Sequence, residues 1–223
     1  MFKNFKPINL LLVALLFCVN LSAISSENTC KLAEKLKLEP EQLQSLLVSE
    51  DGEKELVPLT EDYKDFYVNL FSNEDNAEHM KYYGCGNLST KERAQKIFEW
   101  RLSRIWDYEI PASLSFIILS ESRPAGFVGV GPLNSENAQP EIGRVIDKKV
   151  SGKGLGTFSA QTVVQLLQYL KTEGIYTYNC LISTSKPENL ASRKSIMKAG
   201  FVTDEKIIEN DFGHEKVYRY EFK

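Results

Sequence analysis

The chain has 223 residues, 43% of them hydrophobic and 11% aromatic, which is enough for one well-packed core and favours a single main domain. Its 27 basic and 30 acidic residues give a net charge of −3, so the basic excess typical of nucleic-acid binding is missing. Composition therefore argues against a nucleic-acid partner and predicts an ordinary solvated surface.

The N-terminal segment, residues 1–25, is predicted to be a signal peptide or signal anchor. Lys3 and Lys6 precede an unbroken apolar run from Leu10 to Val19, and small residues follow it. The run is shorter than the roughly 20 apolar residues that span a bilayer comfortably. Cleavage predicts an exported protein, which would be periplasmic, secreted or delivered to another cell. Retention predicts a membrane-anchored protein whose membrane contact is confined to this segment.

Three cysteines remain beyond the leader, and this odd number argues against a complete disulfide framework. Cys30 and Cys85 form the favoured pair, because Cys180 lies in a predicted strand interior. The two histidines, His79 and His214, are far apart in sequence, and no Cys or His spacing resembles a metal site. No metal is therefore expected.

Residues 26–52 are predicted to form a helical extension ahead of the main domain, which covers residues 53–223. Leucines recur at helical spacing between Cys30 and Ser49. Pro40 interrupts them and suits a first helical turn, so two short helices are expected.

The main domain is predicted to begin with a strand over Leu56–Leu59 and a helix over Glu61–Phe71 that Thr60 caps. Ser89 and Glu92 have the spacing of a capping box for a helix that ends near Trp106. The later predicted elements are strands over Leu114–Ser120, Ala125–Val130 and Glu141–Asp147, a helix stopping at Gly174, a strand over Tyr176–Ser183, a helix over Pro187–Ala199, and strands near Phe201 and over Val217–Phe222. This order predicts a mixed α/β layer rather than a bundle or a sandwich.

A Gly-rich turn, Ser151–Gly156, joins a predicted strand to an amphipathic helix. Its three glycines allow close backbone approach, and the free N–H groups of a helix N-terminus attract a phosphate or pyrophosphate. A P-loop is excluded because Asp147 stands at its first glycine position. The dinucleotide fingerprint is excluded because Thr157 or Ser159 replaces its last glycine.

Together with a second motif, this turn resembles the GNAT superfamily of N-acetyltransferases. In the family pattern Gln/Arg-x-x-Gly-x-Gly/Ala, Gly154 and Gly156 fill the last two positions and Ser151 replaces the Gln or Arg. Downstream, Asn189-Leu-Ala-Ser192 and a later Gly-Phe pair match the family's Asn-x-x-Ser/Ala motif. The segment EIGRVIDKKVSGKGLGT resembles the branch of the family that contains ribosomal-protein N-terminal acetyltransferases.

The resemblance implies an α/β (α+β) fold with a mixed, mostly antiparallel central sheet of six to seven strands flanked by helices. It also implies acetyl-CoA as co-substrate and Glu141 as the base that deprotonates the acceptor amine, through water. The residues implied to bind acetyl-CoA are Val145 and Ile146 along the pantetheine arm, Ser151, Gly152, Lys153, Gly154, Leu155, Gly156 and Thr157 at the pyrophosphate, and Asn189 and Ser192 at the cofactor arm. Ile196 stands where many relatives have a tyrosine, so the general acid is unassigned. Tyr176 and Tyr178 are better explained by core packing.

Four classes of acceptor amine remain as alternatives, namely a peptide N-terminus, a lysine side chain, a polyamine and an amino sugar. The oligomeric state is predicted to be a monomer or a homodimer. By family analogy the helix over Glu92–Trp106 and the loop over His79–Leu88 line the acceptor side. Their acids Glu92, Glu99 and Asp107 would suit a cationic amine, although charged helix faces are usually just solvated. The alternative function is a non-catalytic, exported GNAT-fold binding module, which the leader and the departures at Ser151 and Ile196 favour.

Overall fold

The computed structural model describes residues 27–83, 86–134, 139–210 and 213–222. The predicted leader lies outside the described residues, and so does Cys85, the predicted partner of Cys30. Both of these expectations therefore stay predictions. None of the helices in the described ranges has the length and apolar character needed to cross a membrane.

The described residues form a sheet with helices on both faces. The helices are α1 over residues 27–35, α2 Pro40–Leu47, α3 Lys64–Ser72, α4 Ala77–Met80, α5 Lys91–Trp106, α6 Leu155–Thr172 and α7 Leu190–Lys198. Short 3₁₀ turns cover Glu61–Tyr63, Glu74–Asn76 and Lys148–Val150. The strands are β1 Lys54–Pro58, β2 Leu114–Ser120, β3 Arg123–Gly131, β4 Glu141–Ile146, β5 Cys180–Ser185, β6 Val202–Asn210 and β7 Gly213–Glu221.

The sheet has the strand order β1-β2-β3-β4-β5-β7-β6. Neighbouring strands pair antiparallel, except that β4 and β5 run parallel and pair only at Glu141 and Ile182. This confirms the predicted mixed, mostly antiparallel sheet of six to seven strands. Because β4 stays paired with β3 along its whole length, its separation from β5 opens a gap in the middle of the sheet.

Alternate residues of β3 and β4 face the two helical layers. The Phe127 ring packs edge-on against Tyr67 of α3, which places the odd-numbered residues of β3 towards α3 and α5. Arg144 of β4 instead reaches the first turn of α6 on the opposite face. Val163, Leu166, Leu167 and Leu170 of α6 are fully or almost fully buried there.

The N-terminal helices belong to the same hydrophobic core as the sheet. Leu36, directly after α1, and Leu43 of α2 are fully buried, and Gln42 Nε2 donates a hydrogen bond of 2.6 Å to the Tyr169 hydroxyl of α6. The predicted boundary between residues 52 and 53 stays a prediction, and the core extends across it.

Two helix starts differ from the predictions. The N-cap of α5 is Thr90, whose hydroxyl accepts a hydrogen bond of 3.2 Å from the Arg93 N–H, so the predicted Ser89–Glu92 capping box is wrong by one residue. Thr60 does not cap through its side chain. Its hydroxyl donates to Asp62 at 3.1 Å, and a 3₁₀ turn precedes the α-helix.

Several strand starts also differ from the predictions. The strands β2 and β3 form a hairpin, with a two-residue turn at Glu121 and Ser122 whose φ angles of 52° and 61° suit tight hairpins. The strand predicted over Tyr176–Ser183 is β5, which begins at Cys180. Tyr176 and Tyr178 are buried ahead of it, and their hydroxyls donate to the carbonyls of Pro111 and Leu167. They serve core packing, as expected.

Candidate active site

The gap between β4 and β5 exposes backbone groups that a continuous sheet would pair. Asp147 N donates to the Ala125 carbonyl at 2.9 Å, so in this antiparallel ladder Val145 turns its N–H and C=O towards β3. By the same alternation Arg144 and Ile146 turn theirs towards the gap. An extended ligand in the gap would therefore pair with Arg144 and Ile146 as an added strand would. Val145 also borders the gap, although its backbone groups pair with β3.

A cavity of about 1210 Å³ occupies the gap and opens on both faces of the sheet. The Gly-rich turn and α7 border it on the α6 side, and α4, α5 and the ends of β2 and β3 border it on the α5 side. His79 of α4 lies at one end of the gap, with Nδ1 3.1 Å from the Ile146 carbonyl oxygen. Across the described ranges, no group of three or more His, Cys, Asp and Glu side chains is placed to hold a metal ion.

The Gly-rich turn presents backbone N–H groups to this cavity. Gly152 and Gly154 have φ angles of 84° and 79°, a left-handed conformation that favours glycine. Gly154 caps α6, and its carbonyl accepts from the N–H groups of Thr157 and Phe158. The N–H groups of the first helical residues, Leu155 and Gly156, have no partner within the helix and can bind an anion.

The two polar side chains of the turn point to other partners. The Ser151 hydroxyl donates to the Lys148 carbonyl at 3.0 Å, and Lys153 Nζ lies 3.8 Å from the Glu121 carboxylate. Both side chains are largely solvent-exposed. The turn would therefore hold an anion through its backbone rather than through Ser151 or Lys153.

Arg144 supplies a cation beside the turn that the sequence analysis did not single out. Its Nη1 donates to the Gly156 carbonyl at 2.7 Å, and its guanidinium borders the cavity. Burial lowers the pKa of Arg144 to about 10, so the group stays charged at neutral pH. None of the ion pairs among the described residues includes Arg144. Its charge is thus available to a ligand in the gap.

The second motif lies at the start of α7 and lines the same cavity. The Asn189 side-chain oxygen accepts a hydrogen bond of 3.1 Å from the Ser192 N–H and so caps the helix. The Asn189 amide NH₂ and the Ser192 hydroxyl remain as groups for a ligand. Ile196 is fully buried, so the position of the family tyrosine serves the core here.

Glu141 stands where β4 and β5 separate, and it lines the cavity. One carboxylate oxygen accepts a hydrogen bond of 2.7 Å from the Thr184 hydroxyl of β5. The side chain is solvent-exposed, which leaves room for a water molecule or an amine beside it. This position suits the predicted role of a base.

Tyr83 is a second cavity residue that the sequence analysis did not single out. A Cβ atom on Gly143 of β4 would lie 3.5 Å from the Tyr83 hydroxyl, so the phenol lies over β4, where it lines the cavity. Arg101 of α5 contacts this hydroxyl at 3.4 Å and donates to the Tyr67 hydroxyl at 3.1 Å. Burial acts to lower the pKa of Arg101, but these two phenols outweigh it and the pKa lies above its usual value.

The acids predicted to receive a cationic amine lie outside the cavity. Glu92, Glu99 and Asp107 are exposed, and Glu99 lies 3.4 Å from Lys64 Nζ. The cavity side of α5 carries other side chains, namely Trp100, Arg101 and Arg104. The expectation of an acidic acceptor wall is therefore wrong. Helical spacing offered a signal, because residues 101 and 104 share the inward face of Ile97.

Comparisons with known proteins agree with this geometry. A family model described as an acetyltransferase (GNAT) domain matches residues 55–202 of the chain. A search of curated protein sequences found no match to the chain.

Three solved structures illustrate the similarity of fold. The acetyltransferase from Salmonella typhimurium that modifies the N-terminal serine of ribosomal protein L7/L12 has a TM-score of 0.61 at 15% identity, over 76% of this chain and 95% of its own. The microcin C7 self-immunity acetyltransferase MccE, bound to acetyl-CoA and AMP, has a TM-score of 0.61 at 16% identity, over 76% and 93%. The aminoglycoside acetyltransferase AAC(6')-Ib, bound to coenzyme A, has a TM-score of 0.58 at 17% identity, over 75% and 94%.

The position of Arg144 predicts that it strengthens anion binding at the turn. In isothermal titration with inorganic pyrophosphate, Arg144→Met should weaken binding at least about tenfold, because a charged hydrogen bond contributes about 1.5–3 kcal/mol. Lys149→Met, which removes an exposed cation just before the turn, is the matched control and should change little. Equal affinities of wild type and Arg144→Met would refute the role.

Proposed function

Because this chain belongs to the GNAT acetyltransferase family and is an acetyl-CoA-dependent N-acetyltransferase, we propose that its acceptor is a primary amine that enters the cavity from the α5 side of the sheet. The observation that carries the proposal is the opening between β4 and β5, which joins the Gly-rich turn to Glu141 in one cavity. Donor and acceptor can therefore meet at the point where the two strands separate.

The residues that border the gap fit acetyl-CoA. The pyrophosphate would be held by the N–H groups of the Gly-rich turn and by Arg144, and the pantetheine arm would pair with the β4 backbone at Arg144 and Ile146. Asn189 and Ser192 would contact the same arm through their free side-chain groups. Acetyl-CoA supplies the acetyl group as a reactive thioester.

Glu141 would take a proton from the incoming ammonium group, directly or through one water molecule. The amine nitrogen then forms a bond to the carbonyl carbon and loses a second proton to water. The carbon–sulfur bond breaks, and coenzyme A leaves as a thiolate that takes up a proton. The Thr184 hydroxyl holds the Glu141 carboxylate in place at 2.7 Å.

Tyr83 is our candidate for the donor of that last proton. Its hydroxyl lies over Gly143, two residues along β4 from Glu141, and the position of the family tyrosine is taken by the buried Ile196. The Arg101 guanidinium beside it would stabilise the phenolate left after proton transfer.

The solved structures of similar fold act on different amines, a protein N-terminus in one and an aminoglycoside in another, as their names state. At their low identity they support the fold rather than an acceptor. The family match favours catalysis over the alternative of a non-catalytic binding module.

We also propose that residues 1–25 take the protein out of the cytoplasm or anchor it in the membrane. Their sequence pattern supports this proposal, and the need for cytosolic acetyl-CoA favours anchoring or delivery into another cell. N-terminal sequencing of the protein recovered from separated cell fractions should find it cleaved or membrane-bound. An intact N-terminus in the soluble cytoplasmic fraction would contradict the proposal.

The test of the proposed function combines binding and turnover. Acetyl-CoA should bind in isothermal titration, and coenzyme A release should appear with at least one of a serine-initiated peptide, a lysine peptide, spermidine and glucosamine. Glu141→Gln should lower kcat about 10²–10⁴-fold with unchanged acetyl-CoA affinity, and the loss should shrink as pH approaches the amine pKa, where the amine is already neutral.

Glu188→Gln, at an exposed carboxylate outside the cavity, is the matched control. Absence of binding at millimolar acetyl-CoA would overturn the proposed function.

Replacing Tyr83 tests the proton donor. Tyr83→Phe should lower kcat about 10²-fold while the KM for acetyl-CoA stays unchanged, because the leaving thiolate loses its proton donor. Tyr82→Phe changes a neighbouring phenol of the same cavity and is the control. An unchanged kcat in Tyr83→Phe would show that another group donates the proton.

A further inference from the structure

The acceptor side of the cavity has a floor of small residues. On the face of the sheet towards α5, Ser113, Gly131 and Glu141 lie in one cross-strand row, and Ser115, Gly129 and Gly143 lie in the next. A Cβ atom on Gly129 would lie only 2.7 Å from Arg101 Nη1. Because these glycines have no side chain, they leave space between the sheet and α5, and Arg101 and Arg104 of α5 border this space.

Arg101 and Arg104 bring positive charge into this space without a carboxylate partner. None of the ion pairs among the described residues includes either arginine. Arg101 contacts two tyrosine hydroxyls and packs over the Phe127 ring, with Cζ 4.8 Å from the ring centroid. Arg104 donates from Nη1 to the Tyr108 hydroxyl at 2.8 Å, and its guanidinium packs over the Tyr108 ring.

Two residues that line this cavity, Arg104 and Ser113, each carry a hydrogen-bond donor without a partner in the part of the chain that the structure describes. Arg104 Nε is buried and has no hydrogen-bond partner among the described residues. The Ser113 hydroxyl is likewise buried without a partner, on a side chain that is only 6% exposed and lines the cavity. Stacking on aromatic rings satisfies the faces of a guanidinium but not the N–H groups at its edge. Buried donors without partners are costly, and an anion would satisfy them.

We propose that the acceptor carries, besides its amine, an anionic carboxylate or phosphate group that Arg104 and Ser113 bind. The inference rests on the proposed function and names the class of its acceptor. Arginine suits this task because its planar N–H groups match carboxylate and phosphate oxygens. Arg101, on the same face of α5, adds long-range attraction.

The spacing of the strands limits how far the anionic group lies from the amine. Ser113 and Glu141 are in the same row on either side of β3, so they are about two strand spacings, roughly 10 Å, apart. An acceptor whose amine lies beside Glu141 can therefore place an anionic group at Arg104 when the two groups are a few bonds apart. A peptide N-terminus followed by acidic residues and a phosphorylated amino sugar meet this condition, whereas a polyamine does not.

The first experiment needs no acceptor, and coenzyme A occupies the Gly-rich turn throughout. Inorganic phosphate is titrated into the full-length protein saturated with coenzyme A, against sodium chloride of equal ionic strength, and the thermal midpoint is followed. Phosphate should raise the midpoint of the wild type, and its apparent Kd should rise at least tenfold in Arg104→Gln and severalfold in Ser113→Ala. Arg93→Gln removes an exposed arginine of the same helix and should behave as wild type.

Absence of any phosphate effect, or an equal effect in Arg104→Gln, would overturn the proposal. Should Arg104→Gln not fold, Ser113→Ala decides alone, because it removes one hydroxyl from a buried site. Saturation with coenzyme A is verified first, so a failure of coenzyme A binding counts against the proposed function and not against the anion site.

The second experiment identifies the source of the anionic group. Acetyl transfer is compared within matched pairs, namely glucosamine 6-phosphate with glucosamine, and a peptide beginning Ser-Asp-Glu with one beginning Ser-Asn-Gln. The anionic member of one pair should have a kcat/KM at least tenfold above its neutral partner, and Arg104→Gln should abolish that preference. Equal use of both members by an active enzyme, or a preference for spermidine, would refute the inference.

Discussion

The divergence of β4 from β5 is the constraint on which the site depends. β4 keeps its full ladder with β3, so its outer backbone groups have no strand to pair with beyond Glu141 and Ile182. Unpaired backbone groups inside a protein are costly unless water or a ligand satisfies them. The same divergence places the Gly-rich turn at one end of the opening and Glu141 at the other. In the proposed function, cofactor binding and acceptor chemistry both depend on this one interruption of the sheet.

Charge is distributed unequally around this opening. Arg144 lies on the α6 side beside the turn, and Arg101 and Arg104 lie on the α5 side. The cavity acids are Glu78, which pairs with Lys81, Glu141, which accepts from Thr184, and the buried Glu215. The chain as a whole carries a net charge of −3, so the positive character of the cavity is local and was hidden in the overall composition. Such a local field favours anionic ligands on both faces of the sheet.

The sequence predicted the fold well because its signals were local. Gly154 and Gly156 lie close together after a strand, as Asn189 and Ser192 do at the start of a helix, and these two motifs identified the family. They also predicted the cofactor side of the site. The capping box predicted at Ser89 was wrong by one residue, because the adjacent Ser89 and Thr90 are both suitable N-cap residues. Arg104 and Ser113 were not found, since their meeting depends on how α5 lies across the sheet. The same holds for Tyr83 and Gly143, which are brought together by tertiary packing.

Only a short stretch of chain separates the predicted leader from the folded core. α1 is helical from residue 27, and Leu32 and Leu36 are already buried in the core, whereas the apolar run of the leader ends at Val19. The intervening residues 20–26 extend to at most about 25 Å. A chain that keeps its leader would therefore hold its cavity within about one domain diameter of the bilayer. On so short a tether, acceptors confined to the membrane surface would be encountered at a much higher effective concentration than acceptors free in solution.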